Sequence, residues 1–212
     1  MVRNELDSLG VAFILIGLAA FPAGYLSDLG DLKGSSVLKA GGMAASLFLA
    51  LAAHVGVVFG PGVAVPKPLL IAGMPILALS ICLLYRSLWG ELPVRESYSA
   101  GPPAEGRRRV VRTGTYALTR HPGLLWYGLF LLSLLALTGS LRLAAAAPLW
   151  WLADLLYILA QDRFIFPHIF EDYVDYRREV PKLWPTVRSI SRCISSWNGP
   201  GWNERSDQPR NR

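Results

Sequence analysis

The segment Thr113-Gly114-Thr115-Tyr116-Ala117-Leu118-Thr119-Arg120-His121-Pro122 sets a tyrosine, an arginine and a histidine directly before an apolar run. Ionisable groups at the mouth of a membrane helix are costly to desolvate, which makes them candidates for ligand contact. A guanidinium and an imidazole can hold a carboxylate through charge-assisted hydrogen bonds. Tyr116 and Trp126 offer aromatic faces to a flat ring or a cation. A second polar group, Gln161-Asp162-Arg163, lies further along the chain, followed by Phe166, Phe170, Tyr173 and Tyr176. Spacings of three and four put those aromatics on one face of an amphipathic segment running from Phe164 to Val180.

The elements that must position these groups are membrane helices. Hydrophobic residues make up 52% of the 212 and charged residues only 17%, with a net charge of +6. The apolar residues gather into Leu9–Leu26, Val37–Phe59, Pro68–Leu88, Gly123–Thr138 and Leu143–Ala160. A helix needs roughly 20 apolar residues to cross the hydrocarbon core, so three runs reach or approach that length and the last two are a little short. Isolated strands would leave backbone groups unsatisfied in lipid. The expected fold is an all-α integral membrane protein with about five transmembrane helices. The last two form a hairpin through the turn Gly139-Ser140, followed by a cytoplasmic amphipathic C-terminal helix. That hairpin returns Gln161-Asp162 to the membrane face where Arg120-His121-Pro122 begins.

Residues 1–88 read as a three-helix scaffold, 89–185 as the catalytic region and 186–212 as a disordered tail, with Ser, Asn, Gly, Arg and Pro dominating from about Ser189. The first run reads as a retained span, because Glu5 and Asp7 precede it and no small-x-small cleavage site is obvious before the Ser27–Ser36 loop, which carries Asp28 and Asp31. Its neighbour is rich in Gly and Ala, which lets helix backbones approach closely; His54 within it reads as a hydrogen-bonded packing residue. Arginines crowd the long loop and the tail, while Arg3, Lys67 and Arg142 stand on the other side. The positive-inside bias therefore puts the N-terminus outside and the tail in the cytoplasm. Arg107–Arg109 and Arg177-Arg178 read as headgroup contacts, and membrane lipids are better partners for this basic face than nucleic acid. Cys82 and Cys193 lie far apart, with neither a disulfide framework nor metal-ligand spacing, and no metal is expected.

The pieces Gly-x-Tyr-x-x-x-Arg-His-Pro, a helical hairpin, an acidic residue and Tyr-x-x-Tyr-x-x-x-Val-Pro resemble the membrane methyltransferases that include isoprenylcysteine carboxyl methyltransferase and the phospholipid N-methyltransferases. The resemblance covers about Tyr85–Pro185. Counting back from Val180-Pro181 puts Tyr173 and Tyr176 on the family's two tyrosines and Gln161-Asp162 on its acidic pair. The chain departs from the pattern at Leu124 and Trp126, at Gln161 and at Phe170. The resemblance implies S-adenosylmethionine as cofactor and a lipid-like or lipid-anchored acceptor entering from the bilayer. It implies a cofactor site of Tyr116, Arg120, His121, Pro122, Trp126, Gln161, Asp162, Tyr173 and Tyr176, with His168 or Arg177 orienting a carboxylate acceptor. The run Arg-His-Pro-Gly-Leu-Leu-Trp is also similar to the NnrU-like membrane proteins, which implies a haem-linked or non-enzymatic alternative. A sterol-type NADPH reductase, with an Arg-His-Pro of its own, is a further alternative.

Overall fold

A computed structural model describes residues 8–92 and 108–197. Three long helices come first: α1 (Ser8–Lys33), α2 (Ser36–Val58) and α3 (Lys67–Tyr85), the last prolonged by a π-helical turn at Arg86–Gly90. A short α4 (Thr115–Leu118) precedes the hairpin of α5 (Pro122–Thr138) and α6 (Leu141–Ala160). Beyond a second π-helical turn at Gln161–Ile165 come α7 (Phe166–Ile169), α8 (Tyr173–Glu179) and α9 (Val187–Ser195). The protein is all-α, with no strand among the described residues. Among the described residues, four helices are long and apolar enough to cross a membrane, and Pro122–Thr138 is a shorter apolar helix.

The hairpin ties the bundle together. α6 packs on α1, α2 and α5, whereas α3 packs on α5. Its turn has the expected chemistry: Gly139 is left-handed (φ 60°) and Ser140 caps α6 by accepting from the Leu143 N–H. Ser140 Oγ also donates to Val57 O, and Leu141 N donates to Pro61 O, so the turn is pinned to the end of α2. α1 and α2 cross closely. A methyl at Gly42 would stand 2.5 Å from Ser27 N, and one at Gly30 would stand 2.3 Å from Lys39 N. Close approach of this kind is what small residues give packed membrane helices.

Three sequence expectations change here. The polar stretch 27–36 is not a loop: α1 runs on to Lys33 and turns only at Gly34-Ser35, where Gly34 has φ 67°. Asp28 and Asp31 are kept in the helix by partners from elsewhere. Nor is 164–180 one amphipathic helix. It breaks at Phe170, whose extended backbone (φ −107°, ψ 130°) lets its neighbour Glu171 donate its N–H to Arg108 O. Finally, the tail from Val187 to Ser195 is helical, because Thr186 and Ser189 form a reciprocal cap and Cys193 is buried. Residues 1–7, 93–107 and 198–212, Glu5, Asp7 and Arg107 among them, lie outside the described residues.

Candidate functional site

The two polar groups do meet, and Asp162 is their centre. Arg120 Nη1 donates to both carboxylate oxygens at 2.8 and 3.0 Å, His121 Nε2 lies 3.3 Å from Oδ1, and the Tyr173 hydroxyl donates to the same oxygen. Lys182 Nζ stands 3.6 Å from Oδ2. Asp162 is 2% exposed and His121 7%. Burial is the chief influence on His121 and lowers its pKa, with the neighbouring Arg120 and Lys182 charges acting the same way against the pull of Asp162. Burial likewise raises the Tyr173 and Tyr176 phenols, so both are protonated donors.

Local structure explains the convergence. Pro122 opens α5 at a position where a missing N–H costs nothing. Asp162 lies in the π-helical turn, where the Phe166 N–H reaches five residues back to Gln161 O. Turns of this type insert into α-helices and are frequent at functional sites. The Val180-Pro181 end of the motif closes the site from behind: Arg120 N donates to Pro181 O, and Thr119 Oγ1 donates to Lys182 O. Tyr176 OH donates to Tyr116 O, and Tyr116 OH donates to Ser87 O at the end of α3.

Two cavities adjoin this cluster. A smaller one of about 280 Å³ carries charged side chains in its wall, with Asp28, Asp31, Lys39, Arg108, Tyr173 and Tyr176 among its lining. A larger one of about 500 Å³ runs between the helices, past His121 and Gln161 at one end and His54 and Trp150 at the other. Both are lined by Leu92, Tyr116, Arg120 and Phe166. The Arg120 Nε is buried with no hydrogen-bond partner among the described residues. Buried donors are rarely left so.

The structure distributes the expected site residues unevenly. Tyr116, Arg120, His121, Pro122, Gln161, Tyr173 and Tyr176 line one cavity or both, and Asp162 holds Arg120, His121 and Tyr173 from behind. Trp126 lines neither, and its buried Nε1 has no partner among the described residues. His168 and Arg177 are exposed and line neither cavity; His168 Nδ1 is engaged with Phe164 O one turn back in its own segment. Arg108, expected at lipid headgroups, is instead 7% exposed. It grips Asp31 with two nitrogens, at 2.7 and 3.1 Å, because Lys39 alone leaves that carboxylate an open oxygen.

Several contributors had no motif to announce them. Asp28 accepts from Tyr157 OH (2.7 Å) and from Gln161 Nε2 (2.9 Å). Thus a carboxylate from α1 stands beside position 161, where the family pattern has an acid and this chain has an amide. Glu91 accepts from the Thr115 N–H and from Arg86 Nε, fixing the start of α4. The only signal in the sequence was charge inside or beside an apolar run.

No curated protein and no solved structure matches the chain. Residues 67–162, just under half of the chain, carry α3, the described part of the polar segment, the hairpin and Asp162 itself, and they match the family described as "Protein of unknown function (DUF1295)".

Proposed function

We propose that the protein is a membrane methyltransferase that uses S-adenosylmethionine and acts on a lipid-like or lipid-anchored acceptor. One observation carries the reading: a cavity ringed by charged side chains and a larger one between the apolar helices share the wall of Leu92, Tyr116, Arg120 and Phe166. A transfer between a water-soluble donor and a bilayer-borne acceptor needs two adjoining compartments, one able to pair the donor's charges and one open to an apolar body. Positioning and water exclusion then supply most of the rate.

The residues fit the donor. The unpartnered Arg120 Nε suits a carboxylate. Both hydrogen bonds to Asp28 fall on Oδ2, which leaves Oδ1 for an ammonium group. Asp28 thereby takes the role the resemblance implied for Asp162, whose oxygens are already held by Arg120, His121 and Tyr173. Tyr116, Tyr173 and Tyr176 offer aromatic faces to an adenine or a sulfonium. The donor supplies an electrophilic methyl group, so the protein need only align an acceptor with it. On the positive-inside bias this face is cytoplasmic.

A specific observation also favours an NADPH-dependent reductase: Lys39, Arg108, Arg109 and Arg120 line the smaller cavity, a set of cations suited to phosphate. The haem-linked reading has no comparable support: both ring nitrogens of His54 are engaged by protein groups, and His168 is exposed and lines neither cavity. Isothermal titration of the detergent-solubilised protein with S-adenosylmethionine, S-adenosylhomocysteine and NADPH separates the readings. Binding of the first two, weakened by Asp28→Asn, is the expected result. Folded protein that binds neither would overturn methyl transfer, and binding of NADPH alone would favour the reductase.

A further inference from the structure

The larger cavity holds a carboxylate that the site just described does not use. Asp154 lies on α6, eight residues before Asp162, which is about 12 Å along a helix. It belongs to a segment apolar enough to cross a membrane and lines the cavity beside His54, Tyr127 and Tyr157. Among the described residues it makes no hydrogen bond or ion pair, unlike Asp28, Asp31, Glu91 and Asp162. A carboxylate left alone in an apolar setting is costly, and within a membrane such a group usually serves a ligand or an ion.

Neighbouring donors do not relieve it. His54 Nδ1 lies 2.7 Å from Ala50 O, which can only accept, so the proton sits on Nδ1 and Nε2 is an acceptor. The Tyr127 hydroxyl therefore donates to His54 Nε2, at 3.2 Å. Tyr157 OH is committed to Asp28, and Trp150 Nε1 to Ile14 O. The same cavity is lined by the aromatic residues Phe21, Tyr127, Trp150 and Tyr157, with Ser46 and small or apolar residues between them. The cationic lining residue Arg120 is bound to Asp162, two turns further on in the π-helical turn that follows α6.

A carboxyl group in an aromatic-lined cavity is the chemistry that receives a cation, because a carboxylate pairs with it and aromatic rings attract it. We infer that the larger cavity binds a lipophilic cation, a protonated amine on an apolar body, with Asp154 as its counter-ion. The inference is independent of methyl transfer, since it concerns the far end of the cavity and needs no cofactor.

The test is titration of the detergent-solubilised protein, without any cofactor, with 4-phenylbutylamine and with its neutral counterpart 4-phenylbutanol. The amine should bind at least about tenfold more tightly, the scale of a charge-assisted contact. Asp154→Asn should bring the two ligands to equal affinity, and Asp154→Glu should keep the preference. Equal binding of amine and alcohol to the wild-type chain, or binding of neither, would overturn the inference. So would an amine preference that survives in Asp154→Asn. The wild-type comparison stands even if a variant fails to fold.

Discussion

Arg120 and Asp162, 42 residues apart in sequence, form an almost dry ion pair in which one guanidinium nitrogen lies 2.8 and 3.0 Å from the two carboxylate oxygens. The pair fastens the start of α5 to the π-helical turn that follows α6. Removing one partner of such a pair leaves an uncompensated buried charge, at a cost of about 3–5 kcal/mol. Asp162→Ala should therefore lower unfolding stability by about that amount, with Arg120 and His121 both losing their acceptor. Chemical denaturation in detergent checks it, and the double variant Arg120→Met/Asp162→Leu should recover much of the loss.

Gln161 and Asp28 make a complementary pair rather than a missing acid. The amide donates to Asp28 Oδ2 at 2.9 Å. Gln161→Glu would restore the acidic pair of the methyltransferase pattern, yet it would set two carboxylates against each other. We expect a loss of about 1–3 kcal/mol in unfolding stability, and its recovery in the exchanged variant Asp28→Asn/Gln161→Glu.

Gly114 has φ 59°, and a methyl there would meet the Glu91 carboxylate oxygen at 2.1 Å. Gly114→Ala thus adds a clash to a left-handed strain of about 1–3 kcal/mol. Melting temperature should fall clearly. Glu91→Ala should not rescue it, because Glu91 also holds the Thr115 N–H.

Acid should weaken the fold through His121. Its pKa is lowered from an ordinary 6.5 by burial, with Arg120 and Lys182 adding to the shift and Asp162 opposing it. Below pH 6.5 the unfolded chain takes up the proton before the folded one does. The stability His121 confers is thus complete above pH 6.5 and falls away as the pH drops toward its lower folded value. Unfolding curves between pH 7.5 and 5 should show this slope, and His121→Gln should remove it.

In cofactor titrations, Asp28→Asn should weaken S-adenosylmethionine binding by about 1.5–3 kcal/mol, the scale of a hydrogen bond to a charged group. Unchanged affinity would place the site elsewhere.

The apolar runs, the Gly139-Ser140 turn and the juxtaposition of Arg120-His121 with Asp162 were legible in the sequence. Hydrophobic length and turn chemistry are local properties, and a hairpin of two similar helices returns the chain to its starting face whatever surrounds it. The partners of the polar groups were not legible. Asp28 looked like loop charge until α1 was seen to continue past it, held by Tyr157 and Gln161 from α6. Arg108 looked like a headgroup contact until Asp31 was found beneath it. Tyr173 and Tyr176 could have been interfacial anchors, but both are buried and hydrogen-bonded. The motif Thr113–Pro122 named the mouth of a site; only packing decided that Asp162 closes it and that Asp28 faces it. A charge in a membrane protein is stable only where a partner comes to it, and that partner is chosen by helix contacts that sequence spacing does not encode.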